Sequence, residues 1–188
     1  DVDQFISHNR RRNRDIAAAL HLQDFFARFD IVSTDVPISV DDNLRMLQLV
    51  RDAATATVGL CMGDIGVPTR ILAGRFGAPF SFATFSQERA LAPGQLSFDE
   101  MTHVYRYDRI DERTDVYGVI ADPVGHSLSP QIHNAGFARE KLNKVYVPIR
   151  VPSEHLPQFF DDAAELGIKG LSVTIPHKET VLEKLTQA

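Results

Sequence analysis

Two short runs, 116–120 and 171–175, each end at a proline-marked polar loop, and this repeated pattern is the strongest constraint on the fold. The first is apolar and rich in β-branched residues, and Asp122, Pro123 and Gly125 break it, as a buried strand running into a loop would. In the second, Leu171, Val173 and Ile175 alternate with Ser172 and Thr174, the two-residue period of a strand with two distinct faces. Pro176 ends it, and Lys178 follows. Ser129 before Pro130 predicts a helix start, with Ser129 as the cap and Pro130 at the first helical position. The free N–H groups and positive dipole end of such a helix favour an anion, which places Ser127 and Ser129 beside a prospective carboxylate or phosphate site. Taken singly, Ser129 reads most simply as a cap and Lys178 as a solvated lysine. Taken together, two strand-end loops carrying polar groups stand where open α/β sheets bind ligands.

The rest of the chain alternates strand and helix patterns with short loops, which argues for a parallel sheet or barrel. A helix is expected over 14–29, a strand over 30–36, and a helix capped by Asp41 or Asp42 with Leu44, Leu47 and Val50 on its apolar face. A strand over 57–62 follows, then a helix over 69–76 that Gly77 closes. Residues 80–85 alternate as a strand, and Ser97 with Glu100 forms a capping box. Beyond the charged stretch 105–115, Val145, Val147, Ile149 and Val151 predict a strand in which Pro148 implies an edge or bulge position. A helix capped by Ser153 then runs to Glu165 and stops at Gly167. The second part is thus a βαβαβ run, for which a right-handed, mostly parallel sheet is expected.

The two loops carry a resemblance. Residues 121–134, A-D-P-V-G-H-S-L-S-P-Q-I-H-N, and 172–178, S-V-T-I-P-H-K, resemble the signatures G-x-P-x-x-H-S-x-S-P-x-x-H-N and (N/S)-V-T-x-P-x-K of the shikimate dehydrogenase substrate-binding domain, with Ala121 in place of the first glycine. The resemblance implies that Ser127, Ser129 and Thr174 hold the carboxylate and hydroxyls of the substrate, and that Lys178 is the catalytic acid/base. It also implies NADP, held by a domain not present in this chain. No glycine pair with the G-x-G spacing of a dinucleotide-binding turn occurs.

Residues 59–72 and the run Ala92, Pro93, Gly94, Gln95 are similar to the closing third of a type I 3-dehydroquinate dehydratase, a (β/α)8 barrel. This implies that Arg70 and Gln95 bind its substrate, 3-dehydroquinate, with His8 as the acid/base candidate. The expected organisation is therefore α/β: residues 1–110 as the C-terminal part of a (β/α)8 barrel, followed by residues 115–188 as a mostly parallel α/β substrate-binding domain. One departure bears on chemistry. The family forms a Schiff base on a lysine, and Val32, or Ser33 with one deletion, stands at that position; the first lysine of the chain is Lys141. A whole barrel needs roughly 250 residues, so this part should leave sheet edges and apolar faces uncovered unless something packs on them.

Composition narrows the partners. The formal net charge of −5 gives no electrostatic footprint for nucleic acid. The basic cluster of Arg10, Arg11, Arg12 and Arg14 reads as an exposed helix face. No stretch is long and apolar enough for a membrane span. Cys61, the only cysteine, excludes an internal disulfide and fits a reducing, cytoplasmic setting as a buried thiol. His126 and His133 do not share a continuous helical face, so no metal is expected, and His177 reads as exposed. A small-molecule partner is expected, 3-dehydroshikimate or shikimate for the second part, with the chain by itself inactive. A non-catalytic binding remnant and a quinate-using dehydrogenase are the alternatives.

Overall fold

The computed structural model describes residues 30–34, 39–85 and 93–186. The helix expected over 14–29, the Arg10 to Arg14 cluster and His8 lie outside them. The described elements are strand β1 (Asp30–Thr34), helix α1 (Val40–Asp52), strand β2 (Thr57–Cys61), helix α2 (Val67–Leu72) continuing as a 3-10 turn (Ala73–Phe76), strand β3 (Asp115–Ala121), helix α3 (Ser129–Arg139), strand β4 (Lys144–Arg150), helix α4 (Leu156–Glu165), strand β5 (Ile168–Val173) and helix α5 (Lys178–Thr186). The fold class is α/β with parallel sheets: β1 pairs with β2, and β4, β3 and β5 form a second sheet in that order, all pairings parallel.

Local sequence accounts for most of these boundaries. Gly77 closes the turn after α2 at φ 95°, a left-handed conformation that only glycine adopts without a steric penalty. The Ser97 box forms: the Ser97 N–H donates to the Glu100 carboxylate at 2.8 Å and the Glu100 N–H to Ser97 Oγ at 3.2 Å. It opens a π-helical turn (Glu100–Val104). Ser39, rather than Asp41 or Asp42, caps α1, and its N–H donates to the Asp42 carboxylate at 3.1 Å. The strand expected over 80–85 is reduced to a single parallel bridge, Thr84 to Ser97. Alternation alone does not make a strand; the backbone needs a partner along its length.

The sheet of β4, β3 and β5 is covered on both faces. Val116 and Ile120 of β3 and Val145, Val147 and Ile149 of β4 point to one side, where Leu44 and Leu47 of α1, Ile71 and Leu72 of α2, and Leu156 and Phe159 of α4 complete one continuous core. The alternate residues Val119, Ala121 and Tyr146 face the other side with Phe137 of α3. Apolar faces of the first part are therefore buried against the second. Arg75 ties the two together: its Nε–H donates to the Thr114 carbonyl at 3.0 Å and one terminal nitrogen to the Leu166 carbonyl at 3.3 Å.

One buried group in this core opposes stability. Asp162 on α4 is only 3% exposed; Gln158 donates to one oxygen at 3.0 Å and the other has no partner among the described residues. Burial raises its carboxyl above the usual aspartate value, and the nearby charges of Asp41, Asp161 and Glu165 add to the shift. A raised folded-state value costs nothing at acid pH, where both states are protonated, and its full cost appears as pH rises past that value. Asp162→Asn is expected to stabilise the chain at pH 7 and to change little below about pH 3, where the unfolded aspartate is protonated as well. Thermal melts at the two pH values check this, and an equal gain at both would contradict it.

Candidate active site

Parallel pairing brings the two loops together. β3 is the central strand and β5 lies beside it in register from Tyr117 with Gly170 to Ile120 with Val173, so both chains leave the sheet at the same end. The backbone then locks the exits to each other: the Thr174 N–H donates to the Ile120 carbonyl at 3.1 Å, and the Asp122 N–H to the Ile175 carbonyl at 3.3 Å. Ser127, Ser129 and Thr174 are half-buried at this end, and Lys178 is exposed as the first residue of α5.

The start of α3 differs from expectation by one residue. Leu128 is the cap, Ser129 is already helical, and Pro130 follows it inside the first turn. The cap interaction comes instead from Ser127, whose Oγ accepts the Ser129 N–H at 3.3 Å.

In the first part, Arg70 on α2 is 1% exposed. Its one hydrogen-bond acceptor is the Met62 sulfur at 3.3 Å, its Nε has no partner among the described residues, and burial lowers its pKa from the ordinary arginine value. Gln95 is half-buried in a loop that touches the one leading into α2, where the Gly63 N–H donates to the Pro93 carbonyl at 3.1 Å. Between them Gly94, at φ 74°, packs so closely on the Gly63 carbonyl that a side chain there would collide with it. Val32, by contrast, is buried in β1 with Met46 and Cys61 around it. No amine stands there.

Against known proteins, residues 119–188 match the shikimate dehydrogenase substrate binding domain, and residues 31–112 match type I 3-dehydroquinase. The chain joins a type I 3-dehydroquinase segment to a shikimate dehydrogenase substrate-binding segment. A bifunctional 3-dehydroquinate dehydratase/shikimate dehydrogenase of Arabidopsis thaliana, described as chloroplastic, is 37% identical over 78% of this chain and 24% of its own length. The shikimate biosynthesis protein AroDE of Chlamydia pneumoniae is 30% identical over 78% of this chain and 31% of its own. A shikimate dehydrogenase (NADP(+)) of Methanopyrus kandleri is 54% identical over 39% of this chain and 26% of its own. The chain thus spans about a third or less of the relatives it matches.

Within the shikimate dehydrogenase segment, sequence reasoning missed three structural anchors. His177 is not exposed but 1% accessible, and its Nε2–H donates to the Val151 carbonyl at 2.7 Å, so the residue before Lys178 is tied to the end of β4. Asn134 is buried and its amide bonds both backbone groups of Tyr146, donating to the carbonyl and accepting from the N–H at 2.8 Å each. His133, beside it, stacks on the Tyr146 ring at 4.3 Å. Arg150 and Asp122 form an ion pair at 2.8 Å where β3 and β4 end. The only forewarning was that Asp122, His133, Asn134 and His177 fall inside the two quoted signatures; Arg150 had none. Among the described residues no helix is long and apolar enough to cross a membrane.

Proposed function

We propose that residues 115–188 are the substrate-binding part of an enzyme that reduces 3-dehydroshikimate to shikimate with NADP as cofactor. Ser127, Ser129 and Thr174 hold the ring's carboxylate and hydroxyls, and Lys178 gives the proton to the carbonyl oxygen whose carbon takes the hydride that the reduced nicotinamide would supply. The observation that carries this reading is the convergence of the 122–129 and 174–178 loops at one end of β3 and β5, with both exits hydrogen-bonded to each other. That end of a parallel α/β sheet is where such folds place their ligands. Hydroxyl side chains there orient a polyhydroxylated ring, and an exposed lysine beside them can act as general acid. The sequence holds no G-x-G turn of the kind that cradles a dinucleotide pyrophosphate, and NADP would supply the hydride from outside these residues.

Residues 1–110 are, in the same proposal, the C-terminal part of a (β/α)8 barrel in which Arg70 and Gln95 face 3-dehydroquinate. A carboxylate is the natural partner for a buried guanidinium with an unsatisfied Nε. Schiff-base chemistry is not proposed for this part, because Val32 is apolar and buried where the amine is needed. For these residues a binding remnant without dehydratase activity is the better reading. A cytoplasmic location is part of the proposal.

The direct test is titration of the chain with shikimate and with quinate, followed by NMR. Shikimate is expected to shift the amides of residues 127–129 and 174. Ser127→Ala is expected to weaken binding about three- to tenfold through the loss of one hydrogen bond to the ligand, beside the loss of about 1 kcal/mol of stability that goes with the cap. Tighter binding of quinate would move the proposal to the quinate-using alternative, and a Ser127→Ala chain that melts earlier but binds equally would reduce Ser127 to a cap.

A further inference from the structure

The last residue of β4 and the one after it hold both loops. Arg150 Nε–H donates to Asp122 Oδ1 at 2.8 Å, and Asp122 is the first residue beyond β3. Val151 continues the clamp through its backbone: its N–H donates to the Ala121 carbonyl at 3.1 Å, and its carbonyl accepts from His177 at 2.7 Å. One loop therefore hangs from a side chain and the other from a main-chain carbonyl of adjacent residues. Beyond Asp122 the first loop has one further anchor, Val124, buried beside Ala121 and Tyr146. It then turns on the hydrogen bond from the Ser127 N–H to the Val124 carbonyl at 3.0 Å.

The pair is more shielded than the other ion pairs among the described residues. The Asp122 side chain is 26% exposed and that of Arg150 37%, whereas most of the rest join two largely exposed partners. A second carboxylate, Asp64 of the loop before α2, stands 3.9 Å from Arg150 and is mostly exposed. Arg150 thus serves two acids. Without it, Asp122 would present an uncompensated negative charge beside the loop read as taking an anion, and like charges at short range repel.

We propose that Arg150 is a positioning residue for the carboxylate-binding loop: it pins residues 122–129, which carry Ser127 and Ser129, and cancels the Asp122 charge that would repel an anionic ring. This rests on the reading of Ser127 and Ser129 given above. Arg150 touches no substrate in this scheme. It acts through Asp122.

The test is shikimate titration of the parent chain, Arg150→Gln, Arg150→Lys and the double variant Arg150→Gln with Asp122→Asn. Arg150→Gln is expected to weaken binding about tenfold, and Arg150→Lys, which keeps the charge without the fork geometry, about threefold. The double variant removes the repulsion along with the pair, so it is expected to recover at least about half of the lost free energy, to within about threefold of the parent. A purely structural ion pair predicts instead that the double variant binds no better than Arg150→Gln. Binding by Arg150→Gln within twofold of the parent would overturn the proposal. If the parent itself does not bind shikimate, the reading of the pocket fails, and the pinning is decided by amide exchange. Ser127 and Ser129 are expected to exchange about tenfold faster in Arg150→Gln while Asn134 is unchanged, and equal exchange at the two serines would overturn it.

Discussion

Replacing Lys178 by methionine in a complete dehydrogenase is expected to lower kcat by about 10² to 10⁴-fold, the range over which a positioned general acid acts. The melting temperature should stay within about 2 °C of the parent, because removing an exposed side chain costs little. Lys178 is exposed and opens α5, so its charge is free of the core, while its backbone is held by the neighbouring His177. These two facts separate the roles of adjacent residues. Lys178→Met should abolish turnover in a protein that still folds, and steady-state kinetics beside a thermal melt would show it. A kcat within a few-fold of the parent would remove Lys178 from the chemistry.

The second large effect is on stability. Asn134→Leu is expected to cost about 2–5 kcal/mol, since it strands two buried backbone groups at roughly 1–3 kcal/mol each. β4 is one of the two edge strands of its sheet. The N–H and carbonyl of Tyr146 bond to Asn134, in effect giving the edge one residue of a missing neighbouring strand. Two residues on, Pro148 has no N–H to leave unpaired. The edge is thus closed by one amide side chain and one proline. Denaturant unfolding measures the loss; a variant within 0.5 kcal/mol of the parent, the usual scatter of a surface change, would show that water replaces the amide. Asn134→Asp, which keeps one acceptor and loses the donor, should fall between.

Much of this was legible in the chain before any fold was known. The β3 and β5 runs, the edge placement of Pro148, the Gly77 stop, the buried face of α1 at Leu44, Leu47 and Val50, and the buried thiol of Cys61 follow from local patterns. Each is decided within a few residues by period, φ angle or a missing donor, so neighbours in sequence suffice. The errors have a common source. Residues 80–85 alternate like a strand, but their one β-bridge is the isolated pair of Thr84 with Ser97. Ser129 looks like a cap, but the hydroxyl that caps is two residues earlier.

Tertiary structure decided what the polar residues do. Arg70 and His177 read as surface residues by type, and both are buried: Arg70 in the core around α2, and His177 because a carbonyl of β4 lies within reach of its ring. Burial of a polar side chain depends on what distant segments offer it, and that offer has no local signature. The same holds for the apolar faces of α1 and α2, whose partners are the strands of the other half. The sequence determined the runs that become β3 and β4 and which polar side chains follow β3 and β5. Only the packing of β4, β3 and β5 decided that these ends meet, that Arg150 and Val151 hold them, and that Asn134 closes the open edge, because each is a contact between residues that pattern and propensity treat as independent.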